Sequence, residues 1–153
     1  MQDEVIATAR SLGVTIATAE SLTAGLVAST LAQVPGASAV LRGGVVAYAT
    51  EIKHSVLGLD QALLEHVVSE AVAAAMAQAA ASVLSADIGV ATTGVAGPQG
   101  LDGQPPGTVW LAVYDARNGL SKTKLLEIEG DREQIREKSA NEAIALVMEL
   151  LSS

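Results

Sequence analysis

Cysteine is absent from this 153-residue chain. Disulfides, thiol catalysis and cysteine-ligated metals are therefore excluded. Aromatics are scarce, with no Phe, one Trp and two Tyr, so few faces are available for stacking bases. Positive charge is also short. Nine Lys and Arg stand against 17 Asp and Glu, giving a net charge of −8. Such a surface repels phosphate polymers and anionic membranes, so neither nucleic acid nor membrane is an expected partner. No apolar run approaches the roughly 20 residues of a membrane span. The opening MQDEVIATARSLG is acidic and lacks a signal-peptide core. A cytoplasmic protein is the expectation. GxGxxG, the P-loop, HExxH and GxSxG are all missing, and His54 and His66 lack metal-ligand spacing. Neither metal nor cofactor is expected.

What is present is aliphatic: half of the chain is hydrophobic, mostly Ala, Val and Leu. That supports one domain over 1–153 with a substantial core. Residues 3–12 predict a helix capped by Asp3 and stopped by Gly13. VTIATA (14–19) predicts a strand, and apolar spacing over 22–33 predicts a helix. LRGGVVAYA (41–49) reads as a second strand, followed by a short helix over 51–57 with Thr50 as cap and Gly58 as stop. Ser69 caps an Ala-rich helix over 70–84, whose small side chains suit close packing on a sheet. ADIGVATTG (86–94) is apolar nearly throughout, as a strand buried on both faces requires. GTVWLAVYD (107–115) and KTKLLEIE (122–129) complete five strands, the last more polar and expected at an edge. The connection between those two strands is too short for a crossover helix, so they should pair antiparallel. Asp131 caps a final helix to about Leu151. The fold class is α/β: a three-layer α/β/α sandwich with a mixed, mostly parallel five-stranded sheet.

The join between the first strand and the next helix, AESLTAGLVA (19–28), carries more polar groups than a cap needs. Ser21 has two readings. It is an ordinary N-cap, or a nucleophile facing the crevice at the carboxyl ends of the strands, where open α/β sheets bind ligands. Free N–H groups of the first helical turn could then hold an oxyanion, with Ala24 and Gly25 keeping the approach open.

A base must come from elsewhere, and YATEIKH (48–54) supplies candidates. Lys53 falls in the first turn of a predicted helix, where the dipole disfavours a cation. As a base near neutrality it needs its pKa lowered from about 10.4 to about 7–8, a bias of roughly 4 kcal/mol. The dipole supplies about 1 kcal/mol of that, and burial must supply most of the rest. The bland reading is a solvated lysine. Tyr48 is either an aromatic plug or a proton-relaying hydroxyl beside Ser21 and Lys53. His54 points about 100° from Lys53 on the same helix and belongs to the surface or ligand rim.

The loop 94–107, GVAGPQGLDGQPPG, holds five of the 14 glycines and three of the four prolines. It is either a mobile connection or, with TTGVAG (92–97), a nest for an anion. Arg132 and Arg136, one turn apart near the start of the last helix, are exposed charges or a phosphate clamp. SKTK (121–124) matches S-x-x-K, but its Ser121 and Lys124 point to opposite faces of a strand.

AESLTAGLVA (19–28), GGVVAYATEIKHSVLGL (43–59), VSEAVAAAMA (68–77), TTGVAGP (92–98), PGTVWLAV (106–113) and GDREQIREKSA (130–140) occur in that order. Together they resemble the C-terminal domain of the competence/damage-inducible CinA family in its stand-alone form. The resemblance implies a nicotinamide-nucleotide amidase, converting nicotinamide mononucleotide and water to nicotinate mononucleotide and ammonia. It implies a homo-oligomer working without metal. The serine of the A-E-S-x-T block falls on Ser21, and the tyrosine and lysine of Y-x-x-x-x-K on Tyr48 and Lys53. Glu20 is expected to orient Lys53 or a ribose hydroxyl, and Thr23 to bond the ligand or steady the turn. Gly25, Thr93, Gly94 and Gly97 are expected at the nucleotide pocket, with Arg136 on phosphate. Two departures stand out. Ala24 occupies a position that is often Gly, where its methyl fits if φ is helical, and PQGLDGQPP replaces a more glycine-rich loop. The alternatives are a non-catalytic nucleotide- or partner-binding relative, or an amidase for another carboxamide.

Overall fold

The computed structural model describes residues 1–153. Five helices and five strands follow one another as α1 (Gln2–Leu12), β1 (Ile16–Glu20), α2 (Leu26–Ala32), β2 (Leu41–Val46), α3 (Thr50–Ser55), α4 (Glu70–Val83), β3 (Ile88–Gly94), β4 (Thr108–Asp115), β5 (Leu120–Glu127) and α5 (Arg132–Leu151). Short 3₁₀ turns occupy Ala37–Ala39 and Gln61–His66.

The strands form one sheet in the order β2-β1-β3-β4-β5. β1 runs parallel to both β2 and β3. β4 is antiparallel to β3 and to β5. The expected β4–β5 antiparallel pair and edge position of β5 hold. A mostly parallel sheet does not: parallel and antiparallel pairings are equal in number. The reason is the loop 94–107, which contains no helix. It returns the chain directly alongside β3, whereas a parallel neighbour needs a crossover.

Side-chain size alternates across the sheet with the strand period of two. Ile16, Ile88, Val90, Val109, Leu111 and Val113 face a core built with α1, α2 and α5. Ala17, Ala19, Ala91 and Ala112 face α4. Alanine meets alanine there, as Ala73, Ala77 and Ala80 of α4 are fully buried against the sheet. The approach is so close that a Cβ on Gly89 would stand 1.8 Å from the Ala77 carbonyl oxygen. The large-residue face and the alanine face make the three layers.

Capping follows local chemistry at α4, where the Ser69 side chain accepts from the Val72 N–H. At α5, Asp131 and Gln134 form a reciprocal capping box. Gly13 ends α1 in the left-handed region, φ 68°. Two expected caps are not used. α1 begins at Gln2, leaving Asp3 in the first turn, and Thr50 is the first residue of α3 rather than its cap. Their carboxylate and hydroxyl sit one or two positions too far into the helix to receive its free N–H groups.

Candidate active site

The site is built on the corner after β1. Glu20 ends that strand and is 1% exposed. One carboxylate oxygen accepts from Thr23 Oγ1 at 2.8 Å, from the Gly25 N–H at 3.2 Å and from the Val27 N–H at 2.8 Å. The other accepts from Thr18 Oγ1 at 3.1 Å and from the Ala28 N–H at 3.0 Å. Glu20 therefore caps α2. A negative charge there matches the positive end of the helix, and its five donors replace water.

Ser21 is consequently not the cap. Ala24 (φ 49°) and Gly25 (φ 97°) are both left-handed, which turns the chain and delays the helix to Leu26. The expected helical start at residue 22 is lost for this reason. The methyl of Ala24 sits in a region that costs an L-residue roughly 1–2 kcal/mol. The source of free amides also changes. Amides at the start of α2 are bonded to Glu20 and to the Thr23 carbonyl. The main-chain N–H groups of Leu22 and Thr23, directly after Ser21, donate to no acceptor within the protein.

Released from capping, the Ser21 hydroxyl meets Lys53. Nζ lies 3.0 Å from Ser21 Oγ, 2.7 Å from the Ala47 carbonyl oxygen and 3.5 Å from that of Tyr48. Lys53 is 1% exposed and takes part in none of the molecule's ion pairs. Burial lowers its pKa from 10.5 to about 8. The expected depression is present, and its cause is desolvation. Lys53 is the fourth residue of the six in α3, past the N–H groups that carry the dipole's positive end. A neutral amine has two N–H donors and one lone pair. As an ammonium Lys53 donates to all three oxygens, Ser21 Oγ included. In the neutral form the two carbonyls match the two donors, and the lone pair is left for the Ser21 proton.

Ser21 opens onto a cleft of about 400 Å³ walled by Leu22, Tyr48, the 94–101 segment and Arg132. Gly94 and Gly97 lie in that wall as expected. Lys53 stands behind Ser21, outside it. Tyr48 shares the cleft, but its hydroxyl accepts from Arg132 Nη2 at 2.6 Å; what reaches Lys53 is the Tyr48 carbonyl. Arg132 also donates to the Gly97 carbonyl, so it spans the cleft from one wall to the other.

The family model for the CinA C-terminal domain matches residues 1–151. This chain belongs to the CinA C-terminal domain family. A CinA-like protein of Frankia casuarinae is 47% identical over 140 residues, covering 90% of this chain and 32% of the relative. The chain thus spans about a third of the length of the curated relatives it matches. Solved structures are similar along their whole length. A competence/damage inducible protein from Agrobacterium tumefaciens superposes with a TM-score of 0.94 at 33% identity, covering 99% of this chain and 93% of that one. A CinA superfamily protein from Klebsiella pneumoniae gives 0.93 at 33% identity, with 99% and 95% covered.

Other expected site residues of this CinA domain lie off the cleft wall. Glu20 and Gly25 are engaged in the cap of α2. Thr23 Oγ1, fully buried, bonds Glu20 and lies 2.8 Å from Thr92 Oγ1, so it steadies the turn. Thr93 donates to the Val67 carbonyl at 2.8 Å. Arg136, expected on phosphate, instead donates to the Leu22 and Thr23 carbonyls at 2.8 and 3.2 Å. Arg132, one turn earlier, is the arginine in the cleft. His54 is turned away from Lys53, its Nδ1 2.7 Å from the Leu59 carbonyl oxygen. Thr92 was not anticipated. It pairs with Glu20 in the β1–β3 register, and its hydroxyl accepts from the Ser21 N–H at 3.3 Å. A strand ending in two hydroxyl residues beside a glutamate was its only signal.

Proposed function

We propose that the domain is a serine amidohydrolase that releases ammonia from nicotinamide mononucleotide, with Ser21 as nucleophile and Lys53 as its base. The observation that carries this reading is the 3.0 Å approach of an unpaired, desolvated lysine nitrogen to a serine hydroxyl at a cleft. With a pKa of about 8, roughly a tenth of Lys53 is neutral at pH 7. That fraction accepts the Ser21 proton while Oγ bonds to the carboxamide carbon. The tetrahedral oxyanion is received by the Leu22 and Thr23 N–H groups. The C–N bond then breaks, the departing nitrogen takes the proton from Lys53, and ammonia leaves an ester on Ser21. Water gives a proton to Lys53 and attacks the ester carbon. The C–O bond to Ser21 breaks, and the proton returns to Oγ.

Substrate class is supported by charge. In a chain of net charge −8, Arg132 is the cation that lines the cleft. It suits the phosphate of a mononucleotide, with the Tyr48 phenol beside it. The test is ammonia release from nicotinamide mononucleotide, nicotinamide and related amides, with Ser21→Ala and Lys53→Ala controls. The mononucleotide should be preferred, and Ser21→Ala should lose about 10³-fold or more in kcat. Full activity of Ser21→Ala ends this mechanism. Calorimetric binding of the mononucleotide without ammonia release assigns the domain a binding role instead.

A further inference from the structure

Resting on the amidase reading above, we propose that Arg136 is a positioning residue that aims the oxyanion-binding amides behind Ser21. It touches neither the cleft nor Lys53. Its fork reaches from α5 to two successive carbonyls of the Ser21 turn, Leu22 through Nε at 2.8 Å and Thr23 through Nη2 at 3.2 Å.

The geometry of the peptide unit gives these bonds a consequence. In a trans peptide the C=O of one residue and the N–H of the next point in opposite directions within one rigid plane. The Leu22 carbonyl and the Thr23 N–H share such a plane. Holding that carbonyl toward α5 turns the Thr23 N–H away from α5. The neighbouring plane is set the same way: the Ser21 carbonyl accepts from the Ala24 N–H at 3.1 Å, which turns the Leu22 N–H outward from the turn. These are the two N–H groups that donate to nothing in the protein, although Leu22 and Thr23 are 3% and 0% exposed. Nearly all buried main-chain N–H groups in proteins are paired. Two adjacent unpaired donors directly after a serine, each held from the far side of its own plane, are arranged for an acceptor that arrives with the reaction.

Arginine suits the task better than lysine. Its planar fork fixes two acceptors at once and keeps its charge at any working pH. The cation polarises the Leu22–Thr23 peptide, making the Thr23 N–H a stronger donor. The effect belongs to the oxyanion and not to the ground-state carboxamide, so it acts on kcat rather than on KM.

The experiment compares wild type, Arg136→Met and Arg136→Lys in steady-state ammonia release from nicotinamide mononucleotide. It adds the affinity of an aldehyde analogue of the substrate, whose adduct with Ser21 is tetrahedral. Arg136→Met should lower kcat about 10- to 100-fold, with KM within about twofold of wild type. Aldehyde affinity should fall by the same factor as kcat, and the apparent pKa of the rate near 8 should stay in place. Arg136→Lys, which keeps the cation without the fork, should fall between the two. Unchanged kcat in a folded Arg136→Met or Arg136→Lys protein overturns the assignment. Equal losses in KM and kcat overturn it too, as does a rate lowered with undiminished aldehyde affinity. If Arg136→Met does not fold, Arg136→Lys decides by the same measures. A wild-type protein that releases no ammonia overturns the amidase reading itself, and the assignment of Arg136 falls with it.

Discussion

The Lys53 nitrogen lies 3.0 Å from the Ser21 hydroxyl oxygen although 32 positions of sequence separate the two residues. The pairing is produced by β1 and β2 lying side by side in parallel, with Glu20 opposite Val46. Chain leaving the carboxyl end of each strand enters the same corner of the molecule. Ser21 follows the first strand directly, and α3 carries Lys53 back behind it.

The buried lysine should make both the proposed activity and the stability depend on pH. Activity should rise with pH along a limb of apparent pKa near 8, since only the neutral amine accepts a proton. Lys53→Arg, which keeps the charge permanently, should be inactive at every pH.

The same group weakens the fold at low pH. Its folded pKa of about 8 lies below its ordinary 10.5, so the unfolded chain holds the proton more tightly. The penalty is complete below about pH 8 and disappears as pH rises to 10.5. It amounts to about 3 kcal/mol. Urea unfolding of wild type and Lys53→Met should show the difference moving in favour of wild type by that order between pH 7 and 11. A constant difference would mean the ammonium is not desolvated.

Glu20→Gln should cost about 2–3 kcal/mol, because an amide nitrogen replaces one acceptor facing the N–H groups of α2. Thermal unfolding checks this, and the loss should come with reduced turnover, since the Ser21 turn rests on the same carboxylate. A change within 0.5 kcal/mol of zero, as for an ordinary surface residue, would remove Glu20 from the cap.

Ala24→Gly should stabilise the protein by about 0.5–1 kcal/mol. Relief of a left-handed alanine at φ 49° exceeds the entropy cost of an added glycine. Destabilisation in equilibrium unfolding would show that the Ala24 methyl makes a contact worth more than its strain.

Arg132→Ala should raise KM for nicotinamide mononucleotide about 10- to 100-fold and leave kinetics with the dephosphorylated riboside unchanged. Equal effects on both would place Arg132 on some part of the substrate other than phosphate.

Much of the scaffold was legible because its signals are local. Ser69 and Asp131 precede periodic runs and do cap α4 and α5. The near-continuous apolar run of residues 86–94 anticipated a strand covered on both faces. The N-cap reading of Ser21 failed for a specific reason. Serine before an apolar run satisfies the rule for an N-cap, but Glu20 reaches past it to amides as far as Ala28. That reach depends on two consecutive left-handed residues, and an alanine there gives little warning. The two arginines of α5 were distinguishable only by depth. Both occupy one face, but Arg132 meets the cleft mouth while Arg136 runs beneath the Ser21 turn. The order of the sheet past β3 hinged on whether 94–107 held a crossover, and its glycines and prolines left the direction of return open.

Taken alone, the sequence determined the order of elements, the aliphatic core, the exclusion of thiol chemistry and the residue types of the site. These follow from side-chain chemistry and periodicity, which act over a few neighbours. Only the tertiary structure decided that the lysine is buried against the serine hydroxyl, that a glutamate is a cap, and which arginine faces the cleft. A pKa depends on how much water surrounds the nitrogen, and a hydrogen bond on where its partner lies. Both are set by segments of chain that meet only after folding.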